Sequence, residues 1–257
     1  MRPESAGHLW RPRLALPLAL FFVLRSVFAA LSERDKESSR VLSFGYPDVL
    51  ADSDQLAALF GEEIRGKLKI REDGARIAAW HNMTGKIAHV VETLSLFSAL
   101  GLALDTIDVH PSRGVERKVD LNHPLPADLA ARYGLVLDLG TIEHCFNIGQ
   151  AISNAAQATA LGGFVVHANP MSMVNHGFYN LNPTFYVDFY EQNGFEVVFM
   201  SGIAGRVPDY TFFDIDPMKR FHVAAECSIV AVARRREMRP IVWPTQAKYR
   251  ANPALLG

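Results

Sequence analysis

The chain has 257 residues and a formal net charge of −1, with 49% hydrophobic and 21% charged residues. This is the composition of an ordinary globular protein, which argues against a disordered tail, a collagen-like fibre or a coiled coil. The near balance of charge also argues against binding nucleic acid through bulk charge, so we expect no nucleic-acid partner.

The N-terminal end of the chain is open to four interpretations. Residues 14–31 form an apolar run that Arg25 interrupts. The run is typical of a secretory signal cleaved after Ala29, a membrane-associated segment, an arm docked on the domain, or an extension upstream of the true start. Residues 10–31 would make any peripheral membrane contact, and the polar residues that follow indicate a linker. We therefore predict an N-terminal arm and linker over residues 1–39.

The C-terminal end and the cysteines bear on partners and compartment. Residues 234–257 contain six basic residues and one acidic residue, which predicts a basic tail, with an anionic partner or membrane surface as the alternative to simple solvation. The two cysteines have no paired spacing, which fits a reducing compartment. We expect a cytoplasmic protein, with membrane association or export as alternatives, and leave the oligomeric state open.

Strand and helix signals alternate from about residue 40 to 233. The predicted strands are 40–48, 106–110, 119–122, 135–140, 164–168, 195–201 and 226–233, and the main predicted helices are 86–100, 126–133, 147–161 and 183–194. This alternation predicts an α/β domain with a doubly wound, Rossmann-like, mainly parallel seven-stranded sheet that includes a late antiparallel strand. The long gap between the first two strands predicts an insertion at about 52–85 in a domain spanning 40–233.

Polar residues gather where the predicted strands end. In an open α/β sheet, ligands bind beyond the carboxyl ends of the strands. Asp108 ends the second strand, where a carboxylate can accept both hydroxyls of a ribose. Asp120 and Asn122 lie in the short third strand and could hydrogen-bond an adenine edge. An exposed turn and a helix cap are the structural alternatives for these groups.

The middle of the chain resembles class I S-adenosylmethionine-dependent methyltransferases. Residues 119–129 read VDLNHPLPADL and residues 133–144 read YGLVLDLGTIEH. Members of that family often show an acid, a short polar stretch, "LP", a strand of the "FDLV" type and then "LEH". The helix that follows and LGGFVV at 161–166 match the usual run into the family's fifth strand.

One segment departs from the family pattern. The family's first strand usually ends in a glycine-rich turn, where glycines let the backbone approach the methionine part of the cofactor. Here the matching stretch is FGYPD at 44–48, which has one glycine and a proline. The resemblance is therefore to a divergent member with a degenerate glycine-rich motif.

The resemblance implies S-adenosylmethionine as cofactor and methyl transfer to an oxygen or nitrogen atom of a small-molecule acceptor. His144 and His176 are the expected bases, since histidine suits proton transfer near neutral pH. The expected cofactor-binding residues are Gly45, Tyr46, Asp108, Asp120, Leu121, Asp138 and Gly140. The expected substrate-binding residues are Glu143, Asn175, Tyr179 and Asn180. Each histidine could instead have a structural role.

Other chemistry has weaker signals. No HExxH or paired Cys/His spacing occurs, so we expect no metal, although His144, His167 and His176 could converge in space. No GxSxG or GxxxxGK[ST] segment is present, which disfavours a serine hydrolase and a nucleoside triphosphatase. Two alternatives to methyl transfer remain open. One is a catalytically inactive methyltransferase-like binding or scaffold protein, and the other is an exported or membrane-held α/β protein of other activity.

Overall fold

The computed structural model describes residues 15–32, 39–206 and 209–250, and its centre is an eight-stranded sheet. The strand order is β5-β4-β2-β6-β7-β10-β8-β9, and β1 and β3 form a separate parallel pair. The strands are β1 (Ala15–Pro17), β2 (Arg40–Phe44), β3 (Asp48–Leu50), β4 (Ala103–Asp108), β5 (Arg117–Lys118), β6 (Tyr133–Asp138), β7 (Thr159–Pro170), β8 (Phe195–Arg206), β9 (Asp209–Asp214) and β10 (Ser228–Arg235).

Strand directions confirm the predicted doubly wound, Rossmann-like α/β class. Strands β5, β4, β2, β6 and β7 are parallel, and β10 runs antiparallel to both β7 and β8. The sheet has one strand more than predicted, because β9 adds an antiparallel edge to β8. The strand order switches at β2, because the chain adds β4 and β5 on one side of β2 and then β6 and β7 on the other. Such sheets bind ligands at this switch point.

Helices cover both faces of the sheet. They are α1 (Leu18–Ser32), α2 (Ser53–Phe60), α3 (Gly74–Trp80), α4 (Thr93–Ala99), α5 (Ile148–Ala158), α6 (Pro183–Gln192) and the short α7 (Ala247–Arg250). Alternate residues of a strand point to opposite faces. Accordingly Val41 and Leu135 pack in a cluster with α1, whereas Leu42 and Val136 pack in a second cluster with α5 and α6.

Helix α1 is part of the main core. Its buried side chains share one hydrophobic cluster with Val41 of β2 and Leu135 of β6, and they are Leu20, Phe21, Leu24, Val27, Phe28 and Leu31. This packing fits the docked-arm interpretation of the N-terminal segment. Among the described residues, no helix has both the length and the apolar character needed to cross a membrane. Residues 10–14 of the predicted membrane-contact segment and 33–38 of the predicted linker lie outside the described residues.

Three predicted elements differ in the structure. The helix predicted over 86–100 begins only at Thr93, because the Glu92 carboxylate caps it by accepting from Leu94 N and Ser95 N. The strand predicted at 119–122 is instead the two-residue strand β5 (Arg117–Lys118), which ends just before the predicted segment. The helix predicted at 126–133 is only a 3-10 turn, Ala127–Leu129.

The predicted boundary of the basic tail also differs, because β10 continues to Arg235. The Arg235 side chain is buried, and its Nη1 donates to Ala156 O at 2.8 Å and Thr159 O at 2.7 Å. These carbonyls lie at the C-terminal end of α5, where a cation also meets the negative end of the helix dipole. Burial lowers the pKa of Arg235 below its usual value. Residues 251–257 lie outside the described part of the chain.

Candidate functional site

Gly45 and Asp108 lie at the carboxyl ends of the neighbouring strands β2 and β4. Gly45 has φ 81°, a conformation that favours glycine, and its N donates to Ile107 O at 2.7 Å. The half-buried Asp108 accepts at Oδ1 from His110 N, at 2.8 Å. Burial raises the pKa of Asp108 above its usual value, partly opposed by the His110 N–H. Gly45, which has no Cβ, therefore lies beside the Asp108 carboxylate where the strand order switches.

Tyr46 is buried at the point where the family has glycines. Its hydroxyl donates to the Glu92 carboxylate, and its ring lies 5.9 Å from the Arg71 guanidinium and 5.8 Å from that of Arg113. Burial, with a contribution from Glu92, raises the pKa of Tyr46 to about 12. Tyr46 is therefore held by the Arg71 and Arg113 guanidinium groups and by the Glu92 carboxylate, which also caps α4.

Asp48 joins the loop after β4 to the segment between β3 and α4. Its carboxylate is buried and accepts from Arg113 Nη2 at 2.7 Å and 2.9 Å. His81 Nε2 lies 3.1 Å from Asp48 Oδ2. A buried ion pair of this kind couples its two segments because either partner alone would be an unpaired buried charge. The predicted insertion is thereby held against the carboxyl ends of β2 and β4.

The structure places Asp120 and Leu121 beside the same edge. The exposed Asp120 accepts at Oδ1 from Asn122 N at 2.9 Å and from its Nδ2 at 2.8 Å, and these bonds lower the pKa of Asp120. Leu121 is buried, and its carbonyl accepts from Asn154 Nδ2 at 3.1 Å. This turn is ordered by its own hydrogen bonds, and the predicted adenine contact stays a prediction.

Asp138 is the last residue of β6, and its side chain is fully buried. Its Oδ1 accepts from Thr141 N at 3.0 Å and Ile142 N at 3.1 Å. Its Oδ2 lies 2.6 Å from His167 Nδ1 and accepts from Asn169 Nδ2 at 2.9 Å. Both carboxylate oxygens therefore have partners within the protein, and the predicted cofactor contact of Asp138 stays a prediction. Gly140, with φ 95°, follows in the turn.

The next turn brings together three groups predicted for acceptor chemistry. Glu143 is fully buried, and its Oε1 lies 3.4 Å from His176 Nε2 and 3.9 Å from His144 Nε2. The two imidazole rings have centroids 5.2 Å apart. The side chains of His144 and His176 are 27% and 36% exposed. Burial lowers the pKa of His144 below 6.5.

His167 does not join this group, contrary to the convergence considered from the sequence. Its Nδ1 contacts Asp138, and its Nε2 lies 2.6 Å from the Tyr190 hydroxyl. Both ring nitrogens are therefore engaged in the core. The strand position explains this, because His167 points into the sheet face covered by α6.

The loop after β7 carries the remaining predicted substrate residues. Asn175 adopts φ 63°, the exposed Asn180 accepts at Oδ1 from Met173 N at 2.7 Å, and the Tyr179 hydroxyl donates to Phe146 O at 2.8 Å. Phe178 N also donates to Glu143 O at 2.9 Å, which holds the loop on the turn after β6. These contacts bring His176 beside Glu143.

Two groups at the site were not assigned a role from the sequence. Asn169 at the end of β7 donates from Nδ2 to Glu143 Oε2 at 3.0 Å as well as to Asp138. Phe146 and Phe178, both exposed, form an edge-on pair with centroids 5.5 Å apart. Asn169 follows a predicted strand, so its position was foreseeable, but the aromatic pair joins two loops distant in sequence.

Two cavities lie away from this edge. One of about 320 Å³ is lined by Arg40, Asp105 and Tyr133, near the amino ends of β2 and β6. The other, about 500 Å³, lies between helix α1 and β9 and is lined by Phe22 and Phe212. Neither contains any of the predicted site residues.

Comparisons with known proteins show methyltransferases among similar solved structures. No protein-family model and no curated protein matches the chain. The chain is similar to the citrinin polyketide synthase CMeT domain, with 11% identity over 86% of this chain and 54% of that chain and a TM-score of 0.44. It therefore spans about half the length of that structure.

Two further similar structures are matched over nearly their full length. One is the Burkholderia thailandensis 1,6-didemethyltoxoflavin-N1-methyltransferase, crystallised with 1,6-didemethyltoxoflavin and S-adenosylhomocysteine (13% identity, 92% of this chain, 100% of that chain, TM-score 0.41). The other is a SAM-dependent methyltransferase from Archaeoglobus fulgidus (12% identity, 84% and 99%, TM-score 0.43). Because these identities and scores are low, function is argued from the chain's own residues.

Proposed function

We propose that the chain binds S-adenosylmethionine at the carboxyl edge of its sheet and transfers the methyl group to an oxygen or nitrogen atom of a small-molecule acceptor. The observation that carries this proposal is the placement of the Asp108 carboxylate beside Gly45, next to the point where the strand order switches. A carboxylate in this position suits the two hydroxyls of a ribose.

The residues at this edge fit the adenosine half of the cofactor better than the methionine half. Asp108 offers a half-buried acceptor, and Gly45 offers backbone without a Cβ. The buried Tyr46 stands where further glycines would give backbone access. When bound, S-adenosylmethionine supplies a methyl group on a sulfonium ion. The role of the protein is to hold the methyl group and the acceptor atom in line, and this alignment provides a large share of the catalysis in such a transfer.

The acceptor end of the proposed site combines polar and apolar groups. Glu143, His144 and His176 present two imidazoles backed by a buried carboxylate. Phe146 and Phe178 supply exposed aromatic surface close to these groups, because Phe178 N donates a hydrogen bond to Glu143 O and the two rings pack edge-on. Small-molecule sites typically pair apolar walls with a few placed polar groups. This combination supports an acceptor that has a flat apolar part and a hydroxyl or amine.

The proposal is tested by titrating S-adenosylhomocysteine into the full chain by calorimetry. We expect binding in the wild type and at least a tenfold weaker affinity in Asp108→Asn, because the ribose loses a charged acceptor. Asp128→Asn is the matched control, since this exposed carboxylate pairs with Arg117 before β6, away from the site. No binding at millimolar ligand, or equal affinity in Asp108→Asn, would refute the cofactor site.

A second candidate, binding without catalysis, is favoured by the fixed position of Tyr46 between two guanidinium groups. Radiolabelled S-adenosylmethionine incubated with a small-molecule extract separates the two. Methyl label entering the extract with the wild type, but not with His176→Ala, supports transfer. Cofactor binding without any labelled product supports the binding protein.

A further inference from the structure

We propose that Glu143, His144 and His176 form a binding site for one divalent transition-metal ion, with zinc as its representative. Ligand atoms of the three side chains all lie within 4.8 Å of one another. Ligands about 2.0–2.2 Å from a tetrahedral zinc ion are separated by roughly 3.3–3.6 Å. The 3.4 Å between Glu143 Oε1 and His176 Nε2 already matches that spacing.

The buried carboxylate supplies an independent reason for a cation. Glu143 is fully buried, and its Oε1 accepts no hydrogen bond. A buried carboxylate oxygen without a donor is costly, and buried charges are normally paired or coordinate a metal. This atom faces both histidine Nε2 atoms, so an ion placed among the three would satisfy it.

The imidazoles are suited to be ligands. Histidine binds a metal through a ring nitrogen, and the Nε2 atoms of His144 and His176 lie 3.9 Å and 3.4 Å from Glu143 Oε1. The two imidazole rings have centroids 5.2 Å apart, which places both nitrogens within reach of one ion.

A hydrogen-bond network orients the carboxylate as metal sites commonly require. Asn169 Nδ2 donates to Glu143 Oε2 at 3.0 Å, which leaves Oε1 turned to the histidines. The Tyr186 hydroxyl in turn donates to Asn169 Oδ1 at 2.6 Å. These hydrogen bonds fix the orientation of the Glu143 carboxylate in the absence of an ion.

Partial exposure of both histidines leaves room for a further ligand. Two histidines and one glutamate with an open position are typical of catalytic rather than structural metal sites. The inference deepens the proposed function, on which only this last step rests: an acceptor hydroxyl bound at the open position would have its pKa lowered by the ion. Metal binding itself needs no cofactor.

The test uses the tag-free full chain, freed of metal with a chelator, and calorimetry with zinc chloride alone. We expect one ion per chain, with affinity at least tenfold weaker in Glu143→Gln and in His176→Ala. His222→Ala is the matched control, since this histidine is exposed and lies in the segment between β9 and β10. Cobalt(II) should give a visible absorption band that the two site variants lose.

Circular dichroism of each variant separates loss of ligands from loss of fold. His176→Ala changes a partly exposed loop residue, so it tests the site even if Glu143→Gln fails to fold. No zinc binding by the folded wild type, or wild-type affinity in folded His176→Ala, would refute the metal site. S-adenosylhomocysteine titrated into the same samples shows whether the cofactor proposal stands or falls separately.

Discussion

Phe21 of α1 meets Phe60 of α2 edge-on, with ring centroids 5.9 Å apart and planes at 87°. The contact joins the N-terminal helix to the segment between β3 and α4. Phe21 is fully buried, whereas its neighbour Phe22 is 59% exposed. We expect Phe21→Ala to lower the free energy of unfolding by about 3–5 kcal/mol and Phe22→Ala to change it by less than about 1 kcal/mol. Urea unfolding curves of the two variants measure the difference.

Equal effects of the two substitutions would contradict the docked position of α1. N-terminal sequencing of the protein isolated from its native source is an independent check. A cleaved secretory signal would begin the mature chain at Ala30, which would remove Phe21 and most of α1 from the core. We expect a mature chain that retains Phe21.

The elements with strong local signals were predicted, and those that depend on distant contacts were not. Strand β6 and helix α5 were predicted because long apolar and alanine-rich runs specify them locally. Ile87, Val90 and Val91 have helical spacing, yet all three precede the helix that starts after Glu92. Ile87 and Val90 pack in a small separate cluster, whereas Val91 is buried in the main one. Burial of a loop therefore produced an apolar spacing that the sequence alone could not distinguish from a helix.

The candidate site shows the same division. Glu143 and His144 are adjacent in the sequence and could be identified from their motif. Their contact with His176 depends on Gly177, where a Cβ would lie 2.8 Å from Glu143 O. The close approach of the two loops thus requires a glycine whose role is visible only in three dimensions. Likewise, the ring of Tyr46 lies near the guanidinium groups of Arg71 and Arg113, which are remote from it in sequence.

The Tyr46 phenol should make stability depend on pH in the alkaline range. Its pKa is about 12 in the folded chain, against 10.0 for an unperturbed tyrosine. The protonated phenol makes its full contribution to the free energy of unfolding below pH 10. This contribution is lost as the pH rises toward 12, because Tyr46 loses its proton at a lower pH in the unfolded chain than in the folded one. We expect the stability advantage of the wild type over Tyr46→Phe to shrink by about 1–2 kcal/mol over that range. Urea unfolding of both proteins at several alkaline pH values measures it.

The other buried tyrosines titrate in both proteins, so the comparison with Tyr46→Phe isolates one phenol. An advantage that stays constant from neutral pH to the alkaline limit would mean that Glu92 and the burial of the ring do not hold this proton.

Asp138 and His167 form the most enclosed polar contact near the site, with Oδ2 and Nδ1 2.6 Å apart and both side chains fully buried. The Asp138 carboxylate accepts backbone N–H groups on one oxygen and side-chain groups on the other. In Asp138→Asn, the amide NH2 must face N–H donors whichever way it is turned. We expect a loss of roughly 3 kcal/mol in the free energy of unfolding, because buried donors lose their acceptor.

Tyr190→Phe is the matched control for this network, because it removes only the hydroxyl that lies 2.6 Å from His167 Nε2. Its expected cost is about 1 kcal/mol, that of one neutral hydrogen bond. The two roles considered for Asp138 also differ in their effect on binding. If its oxygens serve the protein alone, folded Asp138→Asn binds S-adenosylhomocysteine within about threefold of the wild type, as measured by calorimetry. A tenfold or greater loss of affinity at unchanged stability would instead support the cofactor contact of Asp138 predicted from the sequence.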